Sequence, residues 1–389
     1  MLKHIFVLFF NQRKKYTGIL VGQMLVFVVL LYCLMAVFEA IQRYYMPGML
    51  ETDNVVYFSN FRRGARGVID GNYSDDEKIN SLCKRLEACS MVEAVARTRF
   101  FVPYLEEERN YFWSSVKVGG NEIDVGIKCA EEKAMLVFRP VLEEGHWVEE
   151  KNLEDGSIPV VVTRQLVEKA GWVSALGKKI YGFGGEFTVV GVIAGLKNHP
   201  LSQPRPILIF PYSFRSNDRG CCVRVKAGEM DNFRDYLYRE FYKIFEKGKD
   251  GLTVVDLEKL KRVRLRPDFL MLISLLVPTG FLLVFAFMGT FGIFWLYSTK
   301  RRKEFALRLV VGSTSRNLFR FIILEGILLT MMALVPGCIL FCWVYSFSTV
   351  NLMALGTAAG VMMLFSVFSA WWPAYQVSKI NPVEAMRDE

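Results

Sequence analysis

Apolar positions along this chain gather into four long blocks, separated by stretches of very unequal length. Gly18–Phe38 carries no charge, and Gln23 is its one strongly polar member. Phe269–Thr299 runs for 31 residues without a charge. Phe321–Val344 is interrupted by Glu325 alone, and Met353–Trp372 is uncharged throughout. A helix rises about 1.5 Å per residue, so about 20 apolar residues cross a hydrocarbon core about 30 Å thick. Each block meets that length. Lipid cannot satisfy backbone N–H and C=O groups, so each block is predicted to be a helix. The second is longer than a bilayer needs and should tilt or project from it. The competing reading, helices buried in a soluble protein, fails because the remaining residues are too few to cover four of them. A cleaved leader is the competing reading for the first block. Its length, and the lack of a small-x-small site after it, predict a retained anchor.

The blocks divide the chain into an N-terminal segment (1–17), a first span (18–38), a domain of some 230 residues (39–268) and a second span (269–299). A loop (300–320), a third span (321–344), a short link (345–352), a fourth span (353–372) and a tail (373–389) follow. Within 39–268 the pattern alternates between elements. Asn54–Phe58 reads as an apolar strand. Ser74-Asp-Asp-Glu77 has capping-box spacing, with Ser74 at the N-cap, and a helix should run from it to about Cys89. Val92–Val102 alternates like a strand. Asp155-Gly-Ser157 marks a turn before a strand at Ile158–Val162, and a helix follows at Gln165–Ala170. Lys178–Tyr181 and Phe187–Ile193 flank Gly182-Phe-Gly-Gly185, a hairpin signature. Ile207–Pro211 and Cys222–Lys226 are further strands, and Met230–Lys247 is an amphipathic, aromatic-rich helix. The fold class is therefore a membrane protein: four transmembrane α-helices, with a large α+β domain of one core or two subdomains between the first and second.

Composition agrees. Among 389 residues 52% are hydrophobic and 22% charged, which excludes intrinsic disorder. The net charge of +9 is informative through its placement. Lys3, Arg13, Lys14 and Lys15 precede the first span with no acid among them. Lys300, Arg301, Arg302, Lys303, Arg308, Arg316 and Arg320 lie between the second and third spans, against Glu304 alone. Basic residues in short loops stay inside, so both termini are expected in the cytoplasm and residues 39–268 outside. Lys259, Lys261, Arg262, Arg264 and Arg266 lie on the expected outer side, where a long domain is exempt from the charge rule. For this stretch, Leu257–Pro267, a stalk helix and a solvated linker both remain open.

Catalytic chemistry is hard to find. The sequence holds no G-x-x-x-x-G-K-[ST] loop for nucleotide phosphates and no G-x-S-x-G elbow. Its three histidines, His4, His146 and His199, stand apart, and no His/Cys cluster has metal-ligand spacing. His146 beside Trp147 reads as a surface or turn residue, not a general base. Cys83, Cys89, Cys129, Cys221 and Cys222 are outside the spans and odd in number, which predicts no disulfide framework; a single bridge among them stays open. Cys33, Cys338 and Cys342 lie in spans, where cysteine packs as a small apolar residue. Glu325, within about a turn of the inner interface, is expected to be solvated or paired with Arg320.

The segment Lys300–Glu325 stands out instead. Phe305, Leu307, Leu309 and Val310 are interleaved with charge, Gly312-Ser-Thr314 breaks the pattern, and Ser315 is placed to cap a helix running into the third span. A short helix of this kind, tied at both ends to spanning helices, can pass force to them; the alternative is an interfacial anchor on anionic lipid.

At these residues the chain resembles the MacB/FtsX-like permeases of ABC transporters. Arg301, Arg302, Glu304, Arg308, Gly312 and Glu325 occupy places of that family's inner-loop pattern, with Val311 and Ser313 as mild departures. Pro373-Ala374 and Ile380-Asn-Pro-Val-Glu-Ala-Met386 resemble its C-terminal ending. Gly177, Lys178, Ile180, Phe187, Val189, Val190, Gly191 and Val192 match its periplasmic core domain. The resemblance covers essentially the whole chain. It implies that Arg301, Arg302, Glu304, Arg308, Gly312, Ser313 and Arg316 couple the permease to an ABC ATPase. That ATPase is expected on another chain, because about 17 residues precede the first span. ATP and Mg would be bound there, with no cofactor, metal or catalytic site on this chain. The resemblance further implies a second permease chain, identical or diverged, in a bacterial inner membrane. A periplasmic adaptor and an outer-membrane channel are further candidate partners, lipid surrounds the spans, and no nucleic acid is involved. The expected role is export of a lipophilic or peptide substrate in a Gram-negative envelope. Lol-type lipoprotein release and FtsX-like regulation of a cell-wall hydrolase are the alternatives.

Overall fold

A computed structural model describes residues 13–63, 69–70, 75–105, 112–215 and 220–379. The chain forms two compact units, Met1–Gln42 with Asp268–Glu389, and Arg43–Pro267.

The first unit is helical. It contains α1 (Arg13–Tyr45) as far as Gln42, α6 (Leu257–Lys300) from Asp268 on, α7 (Arg302–Val310), α8 (Ser315–Val344) and α9 (Thr349–Ser378). Four of these, all but α7, are long and apolar enough to cross a membrane. Every expected span lies inside one of them. α6 begins at Leu257, so the basic stretch before the second span is helical and continuous with it, through Pro267. The helices α1, α8 and α9 pack through small residues. Ala354 and Ala358 of α9 are fully buried in one cluster, and Ala370 and Ala374 in another further along the helix. Small side chains let helix backbones approach closely in lipid, where no hydrophobic effect drives association. At Gly337 of α8 an added Cβ would lie 2.5 Å from the Phe27 ring of α1, so only glycine fits. Beside this contact Thr330 Oγ1 donates to Gln23 Oε1 at 3.3 Å, satisfying both buried groups. α6 differs. Only 6% of its most apolar window is buried within the chain, and Leu270, Met271, Phe281 and Phe285 are exposed.

The second unit is the head. Its first lobe follows β1 (Val55–Arg63), α2 (Asp76–Glu87) and β3 (Val92–Arg99), and resumes with β11 (Gly220–Val225), α5 (Met230–Ile244) and β12 (Asp250–Asp256). The strands stand in the order β3-β11-β1-β12, all antiparallel. A β-α-β-β-α-β chain in this order is a ferredoxin-like sheet. A short strand β2 (Ile69–Asp70) adds to β1. Both helices cover one face, where Ile79, Leu82, Leu86, Phe233, Leu237 and Phe241 meet Val56, Phe58, Val95 and Val223.

The second lobe is inserted between β3 and β11. It holds β4 (Phe112–Val118), β5 (Asn121–Ala130), α3 (Ala134–Phe138), β6 (Leu142–Gly145), β7 (Ile158–Thr163), α4 (Arg164–Lys169), β8 (Lys179–Gly182), β9 (Gly185–Ile193) and β10 (Ile207–Pro211). The order β10-β7-β9-β8-β4-β5 closes on itself, because β10 also pairs with β5 in parallel. Closure removes two free edges. Val125, Ile127, Val160, Val162, Ile180, Phe187, Leu208 and Phe210 fill the interior. A third core, with Phe101, Phe138, Trp147, Ile193, Ile209 and Cys222, lies outside this ring. The expected α+β head is thus two subdomains sharing one twelve-stranded sheet.

Several local expectations are refined. Ser74 lies outside the described residues; Asp75 is the N-cap of α2, accepting from Lys78 N at 3.3 Å. The strand after it ends at Arg99, since Phe100 turns to positive φ. α5 stops at Ile244, three residues short of the expected end. The hairpin at Gly182–Gly185 forms as expected, with Phe183 and Gly184 both at positive φ as a type I′ turn requires. The C-terminal motif beginning at Ile380 lies outside the described residues.

Candidate functional site

α7 and the start of α8 form a corner built on charge. α6 ends at Lys300, Arg301 turns the chain, and α7 begins at once. Arg301 Nε and Nη2 donate to the two Glu304 carboxylate oxygens at 2.8 and 3.0 Å. Arg308 Nη2, one turn on, donates to Glu304 Oε1 at 2.6 Å. These hydrogen bonds, the Arg301 fork first, hold the Glu304 carboxyl below its usual pKa despite partial burial. Arg301 Nη1 also lies 3.6 Å from Glu325 Oε2 of α8; the two side chains are 11% and 6% exposed. Glu325, expected to be solvated or paired with Arg320, is instead buried beside Arg301, because the corner folds α8 back beside the end of α6. Arg301 also stacks on the Phe305 ring and Arg308 on Phe321.

The corner itself is a Schellman turn. Gly312 N donates to Leu309 O and Ser313 N to Arg308 O, with Gly312 at φ +100. Thr314, one residue earlier than expected, caps α8 by accepting from Asn317 N at 3.3 Å. Of the seven residues expected to couple to an ATPase, Arg301, Glu304 and Arg308 share this network, and Gly312 and Ser313 make the turn. Arg302 and Arg316 stand exposed. Arg302 lines a cavity of about 590 Å³ with Trp295, Trp372, Tyr375 and Lys379. On the outward surface of the corner Leu307, Val310 and Val311 are exposed, Val311 by 81%.

The head contains a second constellation, which no motif in the sequence marks. Three consecutive residues after β9 each hold a different element. Lys197 Nζ donates to Arg43 O and Met46 O, both at 2.6 Å, where α1 ends. A cation at a helix C-terminus complements its dipole. Asn198 O accepts from Tyr104 N at 3.0 Å, and Asn198 Oδ1 accepts from Lys128 Nζ at 2.9 Å. His199 Nε2 donates to Arg264 O of α6 at 3.2 Å, while Arg264 Nε donates to Tyr104 O at 2.9 Å. Burial strips the two lysines of hydration. It pulls the Lys128 pKa from its usual 10.5 to about 7 and that of Lys197 to about 8. Charge on Lys and His was the available signal, but loops do not advertise partners 65 to 154 residues away. His146 is exposed at the surface. No group of three or more potential metal ligands occurs among the described residues.

Four apolar helices with a two-lobed head between the first and second define a permease-type membrane subunit. Two family descriptions match: the MacB-like periplasmic core domain over residues 17–236 and the FtsX-like permease C-terminal region over residues 277–382. The chain belongs to the MacB/FtsX-like permease family. Among curated relatives, the macrolide export ATP-binding/permease protein MacB of Syntrophobacter fumaroxidans is 23% identical over 159 residues. That stretch is 39% of this chain and 22% of the relative, so this chain matches less than a quarter of its length. Among solved structures, the periplasmic region of MacB from Actinobacillus actinomycetemcomitans aligns at TM-score 0.40 and 16% identity, over 55% of this chain and 92% of that one. The extracellular domain of the noncanonic ABC-type transporter YknZ from Gram-positive bacteria aligns at 0.37 and 15%, over 51% and 99%.

Proposed function

We propose that this chain is the permease subunit of a MacB-type ABC system, relaying ATP-driven motion of a separate ATPase to its head for export of a lipophilic or peptide substrate. The observation that carries this reading is the α7–α8 corner. Arg301, between α6 and α7, holds both Glu304 of α7 and Glu325 of α8, so displacement of α7 is passed on to both neighbouring helices. The exposed Leu307, Val310 and Val311, on a corner whose Arg302, Lys303 and Arg316 are also exposed, supply a docking face on the cytoplasmic side. ATP and Mg would be held by the ATPase, since this sequence has no phosphate-binding loop of its own. Within the head, the loop Lys197–His199 holds Arg43, Met46 and Arg264, the stretches by which the chain enters and leaves it, which makes that loop the receiving point. The poorly covered face of α6 is the place for a second permease chain in the dimer. Both termini would lie in the cytoplasm of a bacterial inner-membrane protein.

The test is co-purification with a co-expressed ABC ATPase subunit, with and without ATP, and measurement of ATPase rate in nanodiscs. Leu307→Asp combined with Val311→Asp should cut ATPase recovery at least tenfold while leaving head unfolding unchanged, because both side chains are exposed. Unchanged recovery would remove the coupling role. Recovery of a lipoprotein carrier or a cell-wall hydrolase as the stoichiometric outer partner would transfer the chain to the release or regulator reading.

A further inference from the structure

Two thiols in the first lobe of the head, 138 residues apart in sequence, approach to 3.0 Å: Cys83 Sγ of α2 and Cys221 Sγ of β11. Both sit in the core beneath α2 and α5. A disulfide has S–S near 2.05 Å, so closing this pair takes a shift of about 1 Å. The neighbouring cysteines are poorly placed to compete. Cys222 follows Cys221 in the strand and so points to the opposite face; it belongs to the other core and contacts Thr98 Oγ1 at 3.8 Å. Cys89 lies six residues beyond Cys83, past the end of α2. Access comes from one side. Cys83, 8% exposed, lines a cavity of about 780 Å³ with Lys84, Arg97, Glu131 and Tyr212. Cys221 is fully buried, and burial raises its thiol pKa.

We propose that Cys83 and Cys221 are a disulfide-forming pair, bridged by thiol–disulfide exchange with a disulfide donor that enters this cavity. The Cys83 thiolate attacks one sulfur of the donor, forming a mixed disulfide and releasing the first donor thiol. The Cys221 thiol gives its proton to solvent, its sulfur attacks Cys83 Sγ, and the second donor thiolate leaves and is protonated. In total, two protein thiols are oxidised and one donor disulfide is reduced to two thiols. The bridge staples α2 to the centre of the ferredoxin-like sheet. As a standing feature it rests on the proposed placement of the head outside the cytoplasm, where disulfides persist.

The experiment uses the full-length chain in detergent, first reduced, then exposed to oxidised glutathione without denaturant. Intact mass should fall by two hydrogens, and peptide mapping should join Cys83 to Cys221. Closing so long a loop should raise the melting temperature by on the order of 5–10 °C, reversed by dithiothreitol. Cys222→Ser and Cys89→Ser should keep the link, and Cys221→Ser should trap glutathione on Cys83. A link that survives Cys221→Ser, or none in the folded wild type, overturns the pair whatever the topology. Acid-trapped protein from cells, scored with protease access to the head, separates the two readings. A reduced pair in an outside head overturns the bridge alone. A head found inside overturns the placement and the standing bridge with it.

Discussion

Lys128 lies near the end of β5 at 1% exposure with Asn198 as a hydrogen-bond partner, so its ammonium is held away from the water that would otherwise solvate it. With a folded pKa of about 7 against an ordinary 10.5, the folded head releases a proton that the unfolded chain keeps across that window. The Lys128 contribution to stability is therefore lowest below about pH 7 and rises as pH climbs toward the ordinary lysine value. Wild type should gain on Lys128→Met by about 1 kcal/mol per pH unit between pH 7.5 and 9.5. Chemical unfolding of both proteins at each pH reads this difference, and a flat difference would refute the buried-cation account. The Arg301–Glu325 pair makes a second claim at this scale. Arg301→Met takes the nearby cation from the buried Glu325 carboxylate, which costs about 3–5 kcal/mol, whereas Glu325→Gln leaves Arg301 forked onto Glu304 and costs less; removing both costs less than the sum. Arg301→Met, Glu325→Gln and the double variant, compared by thermal unfolding in detergent, should show this non-additivity. Additive losses would mean that the pair is solvated.

Among the elements, α7 is the shortest that the proposed mechanism uses, and nine residues are too few to be helical alone. Its structure depends on its ends, the Arg301–Glu304–Arg308 network and the Schellman turn. Gly312 sits at φ +100, where a β-branched residue is strained although space is open around it. Gly312→Val should cost about 1–2 kcal/mol at the corner and lower ATPase stimulation by the permease several-fold, with ATPase binding retained. Full stimulation in nanodiscs would show that the turn geometry is not used. Helix and strand starts were largely legible in the sequence, because capping residues and period-two runs act over a few residues. β4, β5 and β12 were missed. Burial in β4 and the start of β5 does alternate, with Lys117 and Asp124 at exposed positions, and the two pair as a hairpin across Gly119-Gly120, so the signal there was local; β12 alternates poorly and is made a strand by pairing with the distant β1.

For the molecule as a whole, the head has three cores of its own, and its two lobes share one sheet. Burial on that scale supports independent folding. Residues Arg43–Pro267 expressed alone should unfold cooperatively near the temperature of the head in the full chain, read by circular dichroism and proteolysis. A molten, protease-sensitive fragment would mean that the helices are required for the head to fold.

The four spans, the position of the head between the first and second, and the charged segment after the second are all written in the amino-acid sequence. Hydrophobic length and charge count are local, additive properties, so a linear string carries them whole. The closure of β10 onto β5, the pairing of Arg301 with Glu325, the grip of Lys197–His199 on the ends of α1 and α6, and the meeting of Cys83 with Cys221 are decided by the tertiary structure alone. Each depends on residues brought together across tens to hundreds of positions by burial of several surfaces at once, and no periodicity in the chain records which distant neighbour that burial selects.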